Sequence, residues 1–463
     1  MSDFSALNTA TTGLHAHQKR INVIGENIAN METPGYHRQT TMLTAIDTQR
    51  PGLFSGNERQ HGGVTAEVNR RWDELLDTNA KRERGRSASL ETQATELGAV
   101  EAELGSLGEG LATRFQELWN SFDDIANTPD DLAVRNVVLG NAEAVASGLR
   151  HQGATLDGRR EATIVQVNES IRQANQLSIR IAELDQTIVA GQAIGTGPHG
   201  AMDERDRLAS ELISLTGGEI SYNELGQVRI AVDGFNLVGE GQPGVISVDE
   251  TADPSLAPLG YDRVIVQSPT GRELSLTAGS VHGYLQVANV MLPEQVAGLN
   301  NVAATTVSTV NGLHQTGFGL DGTTGSSLFD PTGVRAVDVA VSIDVAGRPE
   351  RIAASDGSAT LDNSVALAIA ELGTDPNGPS NVHARFVADL GSRVDTLNGR
   401  ADVARLASEH AEGARQSAVG VNLDEELADL VSAQRAYEAS ARMISAVDQM
   451  LDTLINRTGI VGR

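Results

Sequence analysis

Apolar positions recur seven apart at both ends of the chain, and that pattern sets the frame for everything between. From Phe4 to Ala29, Leu7, Leu14, Ile21 and Ile28 mark one helical stripe, with Ile24 beside it, and Thr33-Pro34-Gly35 stops the run. Near the other end Leu423, Leu430, Tyr437, Ile444 and Leu451 repeat the same spacing, flanked by Leu427, Val447 and Leu454. Asn422 followed by Leu-Asp-Glu-Glu426 reads as a helix start, a capping side chain with acids in the first turn. Two such stripes in one chain most simply bury each other, which predicts a nested architecture with both termini in the innermost layer.

Between the ends the period changes several times. Residues 36–63 are polar and glycine-rich and read as an extended connection. A helical pattern runs from Val64 to about Leu104 and resumes, past a Gly-broken corner, from Leu111 to Ile125. Thr128-Pro129-Asp130-Asp131 predicts an N-cap launching a helix to about Leu149, and Ile164 to Ile188 keeps helical spacing through another. One more helix spans Asp203 to Leu215. Between 217 and 280 short alternating runs appear at Gln227–Val232, Asn236–Val238, Arg263–Val266 and Glu273–Leu276, which predict a β-rich insert. Helix returns from Val281 to His314. Residues 317–380 are loop- and strand-like around Ala336–Val345 with a short helix near Ser364–Leu372, and 381–415 is helical.

The fold class expected is mainly α with β-rich inserts (α+β). The domains expected are a terminal coiled-coil pair (1–40 plus 416–463), a helical bundle (41–216 plus 281–415, with the insert near 317–380) and a β-rich insert at 217–280. A length of 463 residues suits about three domains.

Composition sharpens this picture. Eight Phe, five Tyr and two Trp make rings only 3% of the chain, so the apolar matter is aliphatic and better supplied for helix seams than for ligand pockets. With 35 basic and 61 acidic residues the net charge is −26, a surface that repels phosphate backbones and anionic lipid. Neither nucleic-acid binding nor membrane insertion is expected: no run approaches the roughly 18 apolar residues of a membrane span, and Met1-Ser-Asp-Phe-Ser-Ala-Leu7 lacks the layout of a secretion signal. Absence of Cys excludes disulfides and thiolate chemistry.

Candidate chemistry is sparse. Gly317-Phe-Gly319-Leu-Asp-Gly322 matches G-x-G-x-x-G, but a helix precedes it and Thr-Thr-Gly-Ser-Ser follows, so a Gly-rich loop is the reading rather than a dinucleotide cradle. His15 and His17 stand two apart on a helix and face different ways, and Glu409-His410-Ala411-Glu412 suits a solvated acidic face. No catalytic, cofactor or metal residues are assigned, and no cofactor is expected. An enzyme would need clustered acids at the β insert, where Asp249, Glu250, Asp253 and Asp262 are scattered.

Two terminal words go further. Ser5-Ala-Leu-Asn-Thr-Ala-Thr-Thr-Gly-Leu14 with Ile21-Asn-Val-Ile-Gly-Glu-Asn27-Ile-Ala-Asn30-Met-Glu-Thr33-Pro34-Gly35-Tyr36 resembles the N-terminal signature of the bacterial flagellar rod, hook and hook-associated axial proteins. Gly420-Val-Asn422-Leu-Asp-Glu-Glu-Leu-Ala-Asp-Leu430 and Ser432-Ala-Gln434-Arg-Ala-Tyr-Glu-Ala-Ser440 resemble the C-terminal signature of the same family. The word Thr33-Pro-Gly-Tyr-His-Arg-Gln39 and the long helical block after residue 64 are most similar to the hook-associated branch, which joins hook to filament, because hook protein resembles a chain of β domains outside its terminal helices.

The resemblance implies a structural protein, not an enzyme, that polymerises through paired terminal helices as an adaptor outside the cell. It implies export without a cleaved signal peptide, and as partners further copies of itself, hook protein, the next junction protein on the filament side, and a flagellar export chaperone with the export apparatus. Leu7, Leu14, Ile21, Ile24 and Ile28 are expected to pack on Leu423, Leu427, Leu430, Tyr437, Ile444, Val447, Leu451 and Leu454, within and between subunits. Asn27, Asn30 and the Pro34-Gly35 turn are expected to cap the first helix and redirect the chain. Another axial subunit of the family, or a secreted adhesin or coiled-coil interaction protein, is the competing reading.

Overall fold

The computed structural model describes residues 2–46, 63–195, 197–357 and 362–453. Helix α1 (Ser2–Ala29) ends in a turn where Gly35 adopts a φ of +83°, a conformation that side chains with a Cβ resist. The chain then forms an antiparallel ribbon of β1 (Gln39–Ala45) and β2 (Val64–Arg70), in register from Gln39↔Arg70 to Ala45↔Val64. The predicted extended connection is thus half of a ribbon as far as Ala45. The helix expected from Val64 instead begins at Glu74, where Asp73 accepts from the Leu76 N–H at 3.0 Å. Alternation in Val64-Thr-Ala-Glu-Val68 decides the difference: strand pairing uses a period of two that a helical reading of the same residues overlooks.

Helix α2 (Glu74–Asn127) runs without the expected corner. A helical glycine costs only about 1 kcal/mol, and Leu104 and Leu111, each 1% exposed, hold both sides of the Gly-rich stretch in one core. Helix α3 (Leu132–Ala193) likewise replaces two predicted helices. Its cap is Asp131, which accepts from Ala133 N–H at 2.7 Å, whereas Thr128 ends α2. Residues 150–163 escaped an apolar reading because Leu156 is the one large apolar side chain buried there, and Gln152, Arg160 and Thr163, also buried, are polar, with Arg160 Nε donating to the Ala288 carbonyl at 3.1 Å.

Helix α4 (His199–Thr216) leads to a four-stranded antiparallel meander of β3 (Glu219–Tyr222), β4 (Val228–Val232), β5 (Phe235–Gly239) and β6 (Gln242–Pro243), followed by the hairpin β7 (Ser247–Thr251) and β8 (Arg263–Gln267). The run expected at 273–276 adds only one bridge, Gln267↔Glu273. The helix predicted from 281 divides into α5 (Gly279–Gln286), a π-helical turn at Val287–Met291 and α6 (Leu292–His314). Around 336–345, where strand was expected, there is a 3-10 turn and a single bridge, Phe329↔Val341. Helices α7 (Ser364–Ala370), α8 (Pro379–Val419) and α9 (Leu423–Asp452) complete the chain.

Two apolar cores form. One joins α2, the first half of α3, α6, α7 and α8, and holds Phe115, Trp119 and Phe122 at 0–2% exposure. The other places strands β3–β8 on the second half of α3, α4 and α5. Outside both, α1 packs along α9 and against the ribbon.

Candidate functional site

The terminal pair is antiparallel: a Cβ placed on Gly13 would lie 3.5 Å from Ser440 Oγ, while Asn27 meets Glu426. Of the residues expected on this seam, Ile24 and Val447 are buried at 4% exposure. Leu7, Leu14, Ile21, Ile28, Leu430, Tyr437, Ile444 and Leu451 are half-buried, Leu423 and Leu427 are 40% and 46% exposed, and Leu454 lies outside the described residues. Three small or short residues that an apolar count passes over, Ala10, Ala16 and Ala433, are buried too. Ala10 and Ala433 sit three residues after the seven-spaced positions, as the second layer of a heptad requires.

At the body-side end of the pair the backbone turn at Gly35 carries the signature residues back over α1. Asn27, 1% exposed, uses its whole hydrogen-bonding capacity there. Its Nδ2 donates to the Gln39 carbonyl (2.8 Å) and Glu426 Oε2 (3.0 Å), and its Oδ1 accepts from Tyr36 OH and Gln39 N–H (both 2.9 Å). The side chain therefore clamps ribbon, turn and α9 together rather than capping α1. Asn30 donates back to the Glu26 carbonyl at 2.9 Å and accepts from Thr33 Oγ1 at 3.3 Å. Burial, then the negative charges of Glu26, Asp203 and Glu426, push the Tyr36 hydroxyl up to about 12, so it stays a donor.

Arg38 closes the clamp. Its Nε donates to the buried Glu426 at 2.6 Å, NH1 to Glu425 at 2.7 Å, and NH2 stands 3.5 Å from Asp429, which also pairs with Arg20 at 2.9 Å. The Arg38 N–H donates to the Val419 carbonyl (3.0 Å), and its own carbonyl accepts from Arg71 N–H (2.8 Å). Asn422 caps α9 through Asp424 and Glu425 N–H groups, so the acids facing Arg38 also lie at a helix N-terminus, where negative charge is favoured. Gln434 is exposed.

A second polar network ties this clamp to the central body. His37 Nδ1 lies 2.9 Å from both the Gly35 carbonyl and Asp203 Oδ1, and Nε2 lies 3.2 Å from Arg415 NH1. Arg70 bridges Asp203 (2.8 Å) and Asp206 (2.6 Å), and Arg205 reaches Asp206 (3.0 Å) and Asp185 (3.2 Å). Burial would raise the Asp206 carboxyl, but Arg205, Lys81 and Arg70 outweigh it and hold the group well below the usual carboxylate range. Tyr222, donating to Asp77 at 3.2 Å, is pushed well above its ordinary value by burial and by Asp206 and Asp77. Asp206 thus stays ionised and Tyr222 stays protonated around neutrality, which suits a stiff joint. A groove of about 750 Å³ runs beside it between the turn, α2, α4 and α8.

Among the described residues no three His, Asp or Glu side chains gather as a metal site would require. Glu409 pairs with Arg405 at 2.7 Å, Asp253 lies 3.6 Å from Arg263, and Phe318 in the Gly-rich loop bridges Thr324 and Ser355. The residues that sequence reasoning did not single out are Arg20, His37, Arg38, Arg70, Asp203, Asp206, Glu426 and Asp429. His37, Arg38, Glu426 and Asp429 stand within the quoted signature words, but their partners lie up to 409 residues away.

Comparison with known proteins accounts for the whole chain. Residues 7–37 match the family described as flagella basal body rod protein, and 415–457 match the flagellar basal body rod FlgEFG protein C-terminal family. Full-length relatives include flagellar hook-associated protein 1 of Bacillus subtilis (strain 168), 27% identical with all of both chains covered. Those of Salmonella typhimurium and Escherichia coli (strain K12) are 24% and 23% identical, with 98% of this chain and 99% of theirs covered. The fold is similar to the structure titled as the flagellar hook junction protein FlgK from Burkholderia pseudomallei, with a TM-score of 0.62 and 14% identity over 74% of this chain and all of that one. Residues 97–329, half of the chain, match the helical domain of flagellar hook-associated protein FlgK, and the chain belongs to that flagellar hook-associated family.

Proposed function

We propose that the chain is a structural subunit of the bacterial flagellum that joins hook to filament, polymerising through its paired terminal helices. The observation that carries this reading is the contrast within one chain between a fully packed body and a terminal pair whose apolar seam is only half covered. Marginal helices of this kind gain order when neighbours supply the missing contacts. Hook protein on one side and the next junction protein on the filament side are the partners this role needs, together with further copies of the chain.

The location is the flagellum, on the outside of the cell, and delivery there uses the flagellar export apparatus with a chaperone, without a cleaved signal. No described helix is long and apolar enough to cross a membrane. Electron microscopy of cells lacking the chain tests the reading: hooks without filaments, with filament subunits shed into the medium, are expected. Normal filaments in such cells overturn it.

A further inference from the structure

The stripe that pairs α1 with α9 does not by itself say which residue faces which. Leu7, Leu14, Ile21 and Ile28 on one helix and Leu430, Tyr437, Ile444 and Leu451 on the other repeat every seven residues. Sliding α9 by one heptad, about 10.5 Å along the axis, again sets apolar against apolar. The second layer of α9 is uneven: Glu426, Ala433, Ser440 and Val447 occupy successive heptads, and the first of them is a carboxylate where a coiled coil wants an apolar side chain. Glu426 is nonetheless only 1% exposed, because Arg38 Nε (2.6 Å) and Asn27 Nδ2 (3.0 Å) meet its two oxygens. Arg38 is itself held by backbone bonds to Val419 and Arg71, and Asn27 by Gln39 and Tyr36.

We propose that Glu426, with Arg38 and Asn27, is a register lock that selects one heptad alignment of the terminal helices and so sets how far the pair extends from the body. In the native alignment the carboxylate is paired twice. In either neighbouring alignment it loses both partners while Arg38 and Asn27 stay fixed to the ribbon, leaving charges without partners. Arg20 with Asp429, both partly exposed, adds a weaker contact of the same sense. The lock rests on the proposed role of the terminal pair as the assembly element, and it names the residues that give that element its specificity.

The chain contains no cysteine, so introduced thiols report alignment cleanly. In the full-length chain, Gly13→Cys is combined in turn with Ser440→Cys, which reports the native alignment, and with Ala433→Cys or Val447→Cys, which report slips of one heptad in either direction. Disulfide yield under mild oxidation is the readout. With Glu426 present the 13–440 pair should dominate, and Glu426→Leu should cut its preference over the slipped pairs by about tenfold while helix content is retained. The paired change Arg38→Met with Glu426→Leu, which leaves no lone buried charge, should lose selectivity equally and covers the case in which the single variant misfolds. Unchanged 13–440 selectivity in a folded paired variant overturns the lock alone. Failure of the parent 13–440 pair to cross-link, free or assembled, overturns the terminal pairing as well.

Discussion

The body and the terminal pair of this protein are both helical, yet they are held together by different means. In the body, Phe115 and Trp119 stack with ring centroids 6.0 Å apart, Trp119 Nε1 donates to Ser380 Oγ at 2.8 Å, and Phe122 is fully buried. In the terminal pair only a narrow line of side chains is covered. Its best-buried contacts at the end joined to the body are polar, and Leu423, Leu427, Val431, Met443 and Met450 are exposed along α9. The body concentrates the chain's few rings where a single chain can enclose them. The terminal pair spreads aliphatic side chains along a seam whose remaining faces are available to other chains.

Four measurements bear on that contrast. The largest effect is expected inside the body: Phe122→Ala should lower its stability in denaturant melts by about 3–5 kcal/mol. An effect near zero would mean that the ring cluster does not hold the body together.

Acid should act on the same region. His314 is buried, its Nδ1 bonded to the Ser326 carbonyl (2.7 Å) and its Nε2 accepting from Ala353 N–H (3.0 Å), which describes the neutral ring. Burial, aided by Arg135, lowers it to about 4 from an ordinary 6.5. A histidine held neutral in the folded state contributes stability that is fully present above about pH 6.5 and is lost as pH falls toward 4, roughly 3 kcal/mol in all. Melting temperature followed against pH should drop through that window, and His314→Gln should flatten the slope.

The terminal pair should respond in the opposite sense. Leu430→Ala removes a half-buried side chain, so melting of the free chain should shift by at most about 1 kcal/mol. The same change should raise the concentration needed for polymerisation at least about tenfold, since the polymer completes the burial. Equal effects on both would erase the distinction between the two regions. Smallest of all is Arg442→Ala on α9, whose partner Glu438 is 65% exposed and itself 79%; a change within about 0.5 kcal/mol in melts of the free chain is expected.

Long helices with clear caps were legible in the sequence. Asn422 and the acids after it mark the start of α9, and the Thr33-Pro34-Gly35 turn marks the end of α1. Errors arose where one pattern masked another. Val64–Arg70 contains residues compatible with a helix, but β1 supplies a partner strand that cannot be seen in the local window. The middle of α3 reads as a break because Arg160 is buried by bonding to backbone carbonyls of other segments rather than by being apolar. The clamp was half legible: its residues stand in the terminal words, but Asn27 reads as a helix cap until the ribbon and Glu426 are placed around it.

What the sequence determined by itself is the set of elements with strong local signals and the existence of two matching terminal stripes, because heptad spacing, caps and turns are properties of neighbouring residues. What only the tertiary structure decided is which partners the polar groups find. Arg38 meets Glu426 across 388 positions, and His37, Arg70 and Asp206 converge from the ribbon and α4. A buried charge is tolerated only where its partner is supplied, and the partner's identity depends on how distant segments pack, which no local pattern encodes.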